Sequence, residues 1–332
     1  MKGGGVAYVA SNAADALFRV QYDLAQASVI AEVGASNMFI NLSPADLAAG
    51  KGGQNPIGVA TANIEKHKRF AFVANDVTRN VSVIDFNTQA VAGTAAAPSV
   101  EPSTALPTAG SQEDRVRKGK RFFNTATGRW ALEGQGWNGC ASCHVDGLTW
   151  FFARGPRQTT SLDGTFSKKD PSDQRMLNWT AIFDEVADFE GNDRGISGGV
   201  GAIVSDKAQP LDVAQRITNP AHAGLSGSSE QLADPSNPLG LEAGGVLEDW
   251  QDIKAFVQAV RPPRKPSNLD GAKITAGKTL FVNDVGCIGC HGGDKWTIST
   301  RFYEPTLDAT TALSTTAWTA PPRLPRLAPA RR

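Results

Sequence analysis

Two stretches of the chain repeat one five-residue pattern, Cys140-Ala141-Ser142-Cys143-His144 and Cys287-Ile288-Gly289-Cys290-His291, each preceded by a glycine. Paired cysteines followed at once by a histidine are the residue types that hold a c-type haem. The two thiols reach the vinyl groups on one porphyrin edge, and the imidazole lies under the iron as proximal ligand. The pattern consumes all four cysteines. Two covalently bound haem c groups are therefore expected, attached at Cys140, Cys143, Cys287 and Cys290, with His144 and His291 on the iron. Two plainer readings compete. A zinc ion could take both C-x-x-C pairs, but they lie far apart in sequence and the histidine after each would go unused. A redox dithiol expects a βαβ neighbourhood, which neither copy has.

The opposite face of each iron decides the chemistry. An iron with two strong axial ligands passes electrons, whereas an open one can meet peroxide or oxygen. Beyond Met1 the methionines are Met38 and Met176, and beyond the motifs the histidines are His67 and His222. Met176 and His222 are the candidate distal ligands; their plainer readings are a core gap-filler and a solvated loop histidine. His67, within Lys66-His67-Lys68-Arg69, reads as an exposed turn. No Met or His follows His291. The second iron is expected to be weakly ligated, to take Tyr303, or to draw a ligand from another part of the protein.

Composition sets wide bounds. The 332 residues are enough for two or three domains with cores of their own. With 33 basic and 33 acidic residues, nothing global argues for nucleic acid or an anionic membrane. No apolar run approaches the roughly 18 residues of a membrane span. Haem attachment to paired thiols takes place outside the cytoplasm, so a periplasmic or extracellular location is expected. Met1-Lys2-Gly3-Gly4-Gly5 leads straight into strand-like sequence without a signal-peptide core, and the natural N-terminus is expected upstream.

The elements that must present these motifs fall into two styles. Gly5-Val6-Ala7-Tyr8-Val9-Ala10-Ser11-Asn12 and Arg69-Phe70-Ala71-Phe72-Val73-Ala74-Asn75-Asp76 match at an offset of 64, and the match runs on into Leu17-Phe18-Arg19-Val20 and Val81-Ser82-Val83-Ile84. Alternating strands joined by a polar turn make a hairpin, and its recurrence is a repeat. Pro56-Ile57-Gly58-Val59-Ala60 reads as a lead-in strand, and residues 35–55 as an insertion. An ordinary small sheet is the plainer reading. Later the pattern turns helical: Gly119-Lys120-Arg121-Phe122-Phe123-Asn124 precedes the first motif as Gly277-Lys278-Thr279-Leu280-Phe281-Val282-Asn283 precedes the second. Leu247, Trp250, Ile253, Phe256, Val257 and Val260 share one helical face, closed by Arg261-Pro262-Pro263.

The fold class expected is multidomain: a partial β-propeller-like all-β segment over residues 1–95, then two mainly α-helical cytochrome c domains. A linker takes residues 96–112, the first cytochrome domain 113–263 and the second, read as truncated, 268–320, with a disordered tail at 321–332. The hairpin repeat resembles the Tyr-Val-Thr-Asn type of β-propeller. Arg154-Gly155-Pro156-Arg157-Gln158-Thr159-Thr160-Ser161-Leu162, Asn178-Trp179-Thr180 and Asp184-Glu185-Val186-Ala187-Asp188-Phe189-Glu190 lie between the haem motifs. With those motifs, they resemble the dihaem cytochrome c peroxidase-like superfamily over residues 110–300. That resemblance implies Trp179 as an interhaem electron relay; the plainer reading is a core tryptophan.

The expected function is single-electron transfer, with a small cytochrome or cupredoxin as redox partner. An enzymatic alternative reduces hydrogen peroxide, with Glu185 or Glu190 as acid/base and the electron path through Trp179. A third reading is a propeller-based scaffold with a haem relay.

Overall fold

The computed structural model describes residues 4–23, 39–44, 47–48, 50–62, 69–126, 138–148, 151–152, 157–179, 181, 183, 186–189, 192–197, 248–263, 266–292, 296–298, 303–304 and 312–313. The chain divides into two compact units, Met1–Ser142 with Asn192–Phe256, and Cys143–Gly191 with Val257–Arg332.

The first unit is built on two antiparallel sheets. β1 (Gly4–Ser11), β2 (Ala16–Asp23) and β3 (Phe39–Asn41) form one. The second is a meander of β4 (Pro56–Thr61), β5 (Phe70–Asn75), β6 (Asn80–Asp85) and β7 (Ala90–Val91). β8 (Val100–Pro102) pairs with β6, so part of the stretch read as a linker belongs to the sheet. The offset of 64 survives as structure: hairpin β1–β2 corresponds to hairpin β5–β6. Both turns end on a left-handed residue, Asp15 at φ 49° and Arg79 at φ 48°. Leu17, Ile40, Leu42, Ala71, Val73 and Ile84 pack as one core against Tyr8, Val59 and Phe86.

Helix α1 (Gln112–Asn124) is mounted on those two equivalent turns. Ser111 caps it by accepting from the Asp114 amide, and Glu113 and Asp114 fill the first turn, where the helix dipole favours acids. Arg121 forms a fully buried ion pair with Asp15 of the first turn at 2.5 Å. Arg117 donates to the Val77 carbonyl, while Lys120 and Glu113 pair with Asp76 and Arg79 of the second. The opposite face meets α3 (Glu248–Ala259) so closely that a Cβ on Gly119 would lie 1.7 Å from the Asp252 carbonyl oxygen. Phe123 and Phe256 pack beside that crossing with centroids 5.0 Å apart.

The two mainly α-helical cytochrome c domains are not found. Among the described residues the structure holds four antiparallel sheets and only four α-helices, and is 31% helical. The predicted helices before each motif and at residues 247–260 do form. Between them, however, the described residues form single turns, isolated bridges and the two-residue strands β9 (Phe151–Phe152) and β10 (Arg157–Gln158). Apolar periodicity reports a helix; it does not report that helices assemble into a domain.

In the second unit, Lys168 donates to the Gln258 and Val260 carbonyls at the end of α3, where unbonded carbonyls need donors. Helix α4 (Gly271–Thr279), capped by Asp270, carries no buried residue and continues as a π turn over Leu280–Asp284. A further hairpin pairs β11 (Tyr303–Glu304) with β12 (Ala312–Leu313).

Candidate haem-attachment sites

The first motif begins where α1 ends. The Thr125 amide closes that end on the Arg121 carbonyl. After residues 127–137, which lie outside the described set, Gly139 returns against the same place. A Cβ on Gly139 would stand 2.6 Å from the Thr125 carbonyl oxygen, so only glycine lets the backbones approach this closely. The Gly139 amide donates to Ser142 Oγ, and the Ser142 amide donates back to the Gly139 carbonyl. The first bond is one half of a capping box, the serine three residues on accepting from the N-cap amide, and the second is a main-chain turn bond. Together they fix one helical turn, α2 (Cys140–Cys143). Cysteines three apart on that turn share a face, and both are partly exposed and free of any disulfide.

His144 follows at φ −119° and ψ 70°, leaving the helix, and the chain turns sharply through Val145–Gly147 with Asp146 at φ 54° and Gly147 at φ 73°. A Cβ on Gly147 would meet the Val260 methyls at 2.7 Å. A strap at residues 157–162 closes over this turn. The Thr159 hydroxyl donates to the Cys143 carbonyl at 2.8 Å, and the Leu162 amide donates to the Gly147 carbonyl at 2.9 Å. Burial pushes the His144 imidazole below its ordinary value, opposed by its backbone hydrogen bonds to Leu148 and Thr160. The outcome favours the neutral ring, which is the ligating form.

Burial pushes the Cys143 thiol up, opposite to the lowered value a reactive dithiol needs. Among the described residues, no group of three or more His, Cys, Asp or Glu side chains could hold a metal ion. The zinc reading of two converging pairs finds no support there. A haem iron asks for one histidine from each motif, and the donors present fit that demand.

The second motif uses its preceding glycine differently. A Cβ on Gly286 would meet nothing within 4 Å, but the residue sits at φ 71°, a left-handed conformation that glycine adopts without steric cost. Cys287–Gly289 forms a 3-10 turn, with the Cys290 amide on the Cys287 carbonyl at 3.1 Å and the His291 amide on the same oxygen at 2.8 Å. Side chains three apart eclipse in such a turn, so Cys287 and Cys290 also share a side. In the flanking sequence Ile274, Leu280, Val285, Ile288 and Trp296 are exposed, and Phe281 lies beside Trp296 with centroids 6.2 Å apart. This is apolar surface of the kind an apolar macrocycle would cover.

The other expected residues fare unevenly. Met176 is half-buried, between Arg175, whose amide bonds Thr165, and Leu177, which bridges to Phe183. Trp179 is 72% exposed, so the core reading of it is overturned. Its indole N–H donates to the Gln158 carbonyl at 2.7 Å. Tyr303 lies in β11. His222, Glu185, Glu190, His67 and Met38 lie outside the described residues. Sequence reasoning missed Ser142 and Thr159 as supports of the first motif.

No protein-family model, no curated protein and no solved structure matches the chain. Among the described residues, no helix is long and apolar enough to cross a membrane.

Proposed function

We propose that the chain carries two covalent c-type haems and passes single electrons outside the cytoplasm, exchanging them with a small redox protein such as a cytochrome or cupredoxin. The observation that carries the reading is the shared build of the two C-x-x-C-H segments. Each forms one turn that sets its cysteines on a common face with a histidine immediately after.

In this reading Cys140 and Cys143 tether one group and His144 ligates it, while Cys287, Cys290 and His291 do the same for the other. Bound haem iron supplies one-electron chemistry by cycling between ferric and ferrous states. The chain's own work is positional. Gly139 and Ser142 fix the first pair of thiols, and burial at His144 favours the neutral imidazole. At the second motif the Cys287 carbonyl gathers the Cys290 and His291 amides and holds the turn in shape.

The test is production in a host that exports and matures c-type cytochromes. Intact-mass measurement should show two haem additions, and a pyridine haemochrome spectrum should show thioether-linked haem. Fewer than two additions in fully matured chain, or zinc in their place, refutes the reading.

A further inference from the structure

We propose that Trp179 is a positioning residue for the first motif: its indole N–H latches the strap of residues 157–162 onto the turn that carries Cys143 and His144. The inference rests on the haem reading of that motif.

Trp179 is 72% exposed, so apolar burial does not account for a tryptophan here. What the side chain does make is one good hydrogen bond, from Nε1 to the Gln158 carbonyl at 2.7 Å. Indole is a donor only, so this bond uses its whole polar capacity. The loop that presents it is held at a cost. Leu177 bridges to Phe183, and between them Asn178 at φ 69° and Ala181 at φ 50° take left-handed backbone, which alanine adopts only against steric resistance.

Gln158 lies in β10, where it pairs with Phe151 of β9. One residue on, the Thr159 hydroxyl holds the Cys143 carbonyl at 2.8 Å. The Leu162 amide holds the Gly147 carbonyl at 2.9 Å. The strap therefore touches the motif on both sides of His144, and its Gln158 end is held by Trp179 as well as by the β9 pairing. Hydrogen-bonded supports behind a ligating histidine fix its ring orientation and tune the metal.

The experiment uses the full chain, haem-free and haem-loaded. Trp179→Phe keeps a ring and removes the donor; Trp179→His restores an N–H. In the haem-free chain, hydrogen–deuterium exchange of the peptide covering residues 157–165 should quicken about two- to tenfold in Trp179→Phe, the range one neutral hydrogen bond supports, and recover in Trp179→His. In the loaded chain, the first haem's reduction potential and carbon monoxide affinity should shift while the second haem's stay fixed. Thr159→Val, which cuts the strap at Cys143, should shift them in the same sense, with a double variant less than additive. Unchanged exchange and unchanged first-haem affinity in Trp179→Phe, with Thr159→Val effective, overturns the latch. If the unaltered chain takes no haem at Cys140 and Cys143, the haem reading fails instead, and exchange in the haem-free chain still decides whether the latch exists.

Discussion

Burial alone pushes the Asp114 carboxyl up, yet hydrogen bonds from Arg117, the Gly110 amide and Lys118 hold it below its ordinary value of 3.8. The folded chain therefore binds this proton more weakly than the unfolded chain does. Asp114 contributes stability above the ordinary value, and that stability is lost as the pH falls through its depressed folded value. Asp15 behaves in the opposite sense: burial dominates and raises it despite Arg121, so protonating it does not drive acid unfolding. Denaturant titrations across this acid range should show Asp114→Asn less stable at neutral pH and flatter in its acid limb; an unchanged limb would rule out Asp114 as the sensor.

At the scale of elements, the hairpins were the most legible part of the fold. Their alternation is local, and the offset of 64 copied even the left-handed turn position from Asp15 to Arg79. β8 was hidden because it is only three residues long and set among Ala, Pro and Ser, with no alternating run of its own. The helices were legible as helices, yet the sequence repeat Gly119-Lys120 and Gly277-Lys278 conceals different surroundings. Gly119 lies at the α1–α3 crossing, where a Cβ would strike the Asp252 carbonyl, whereas Gly277 on α4 faces open space. One substitution should thus have opposite signs at the two sites. Gly119→Ala should cost at least about 2 kcal/mol through forced backbone displacement. Gly277→Ala should be neutral or stabilise by about 0.5–1 kcal/mol, as expected for an exposed helical glycine. Chemical denaturation of the haem-free chain measures both. A large loss at Gly277→Ala would show that α4 is packed.

Across the whole molecule, the proposed attachment residues stand out in the sequence because a haem-attachment pattern is made of adjacent residues. Their supports do not, because the Thr159 and Leu162 contacts arise only when separate loop segments meet. The two motifs consequently sit in unlike settings. The first is braced by Gly139, Ser142 and the strap, and its histidine is partly buried; the second stands on an exposed turn with His291 open to solvent. Replacing each histidine should expose this difference. His291→Ala should remove the normal spectrum of one haem and leave the haem-free chain's melting temperature unchanged, since an exposed side chain takes little stability with it. His144→Ala should remove the other spectrum and also lower the melting temperature, because a partly buried side chain is lost. In the unaltered chain, with no Met or His beyond His291, the second haem should bind cyanide or carbon monoxide more readily than the first. Optical titration of the two single-histidine variants separates the haems. Loss of both spectra from either change, with the fold intact, would mean that the two sites are not independent, and equal affinities would mean that the second iron finds a distal ligand as strong as the first.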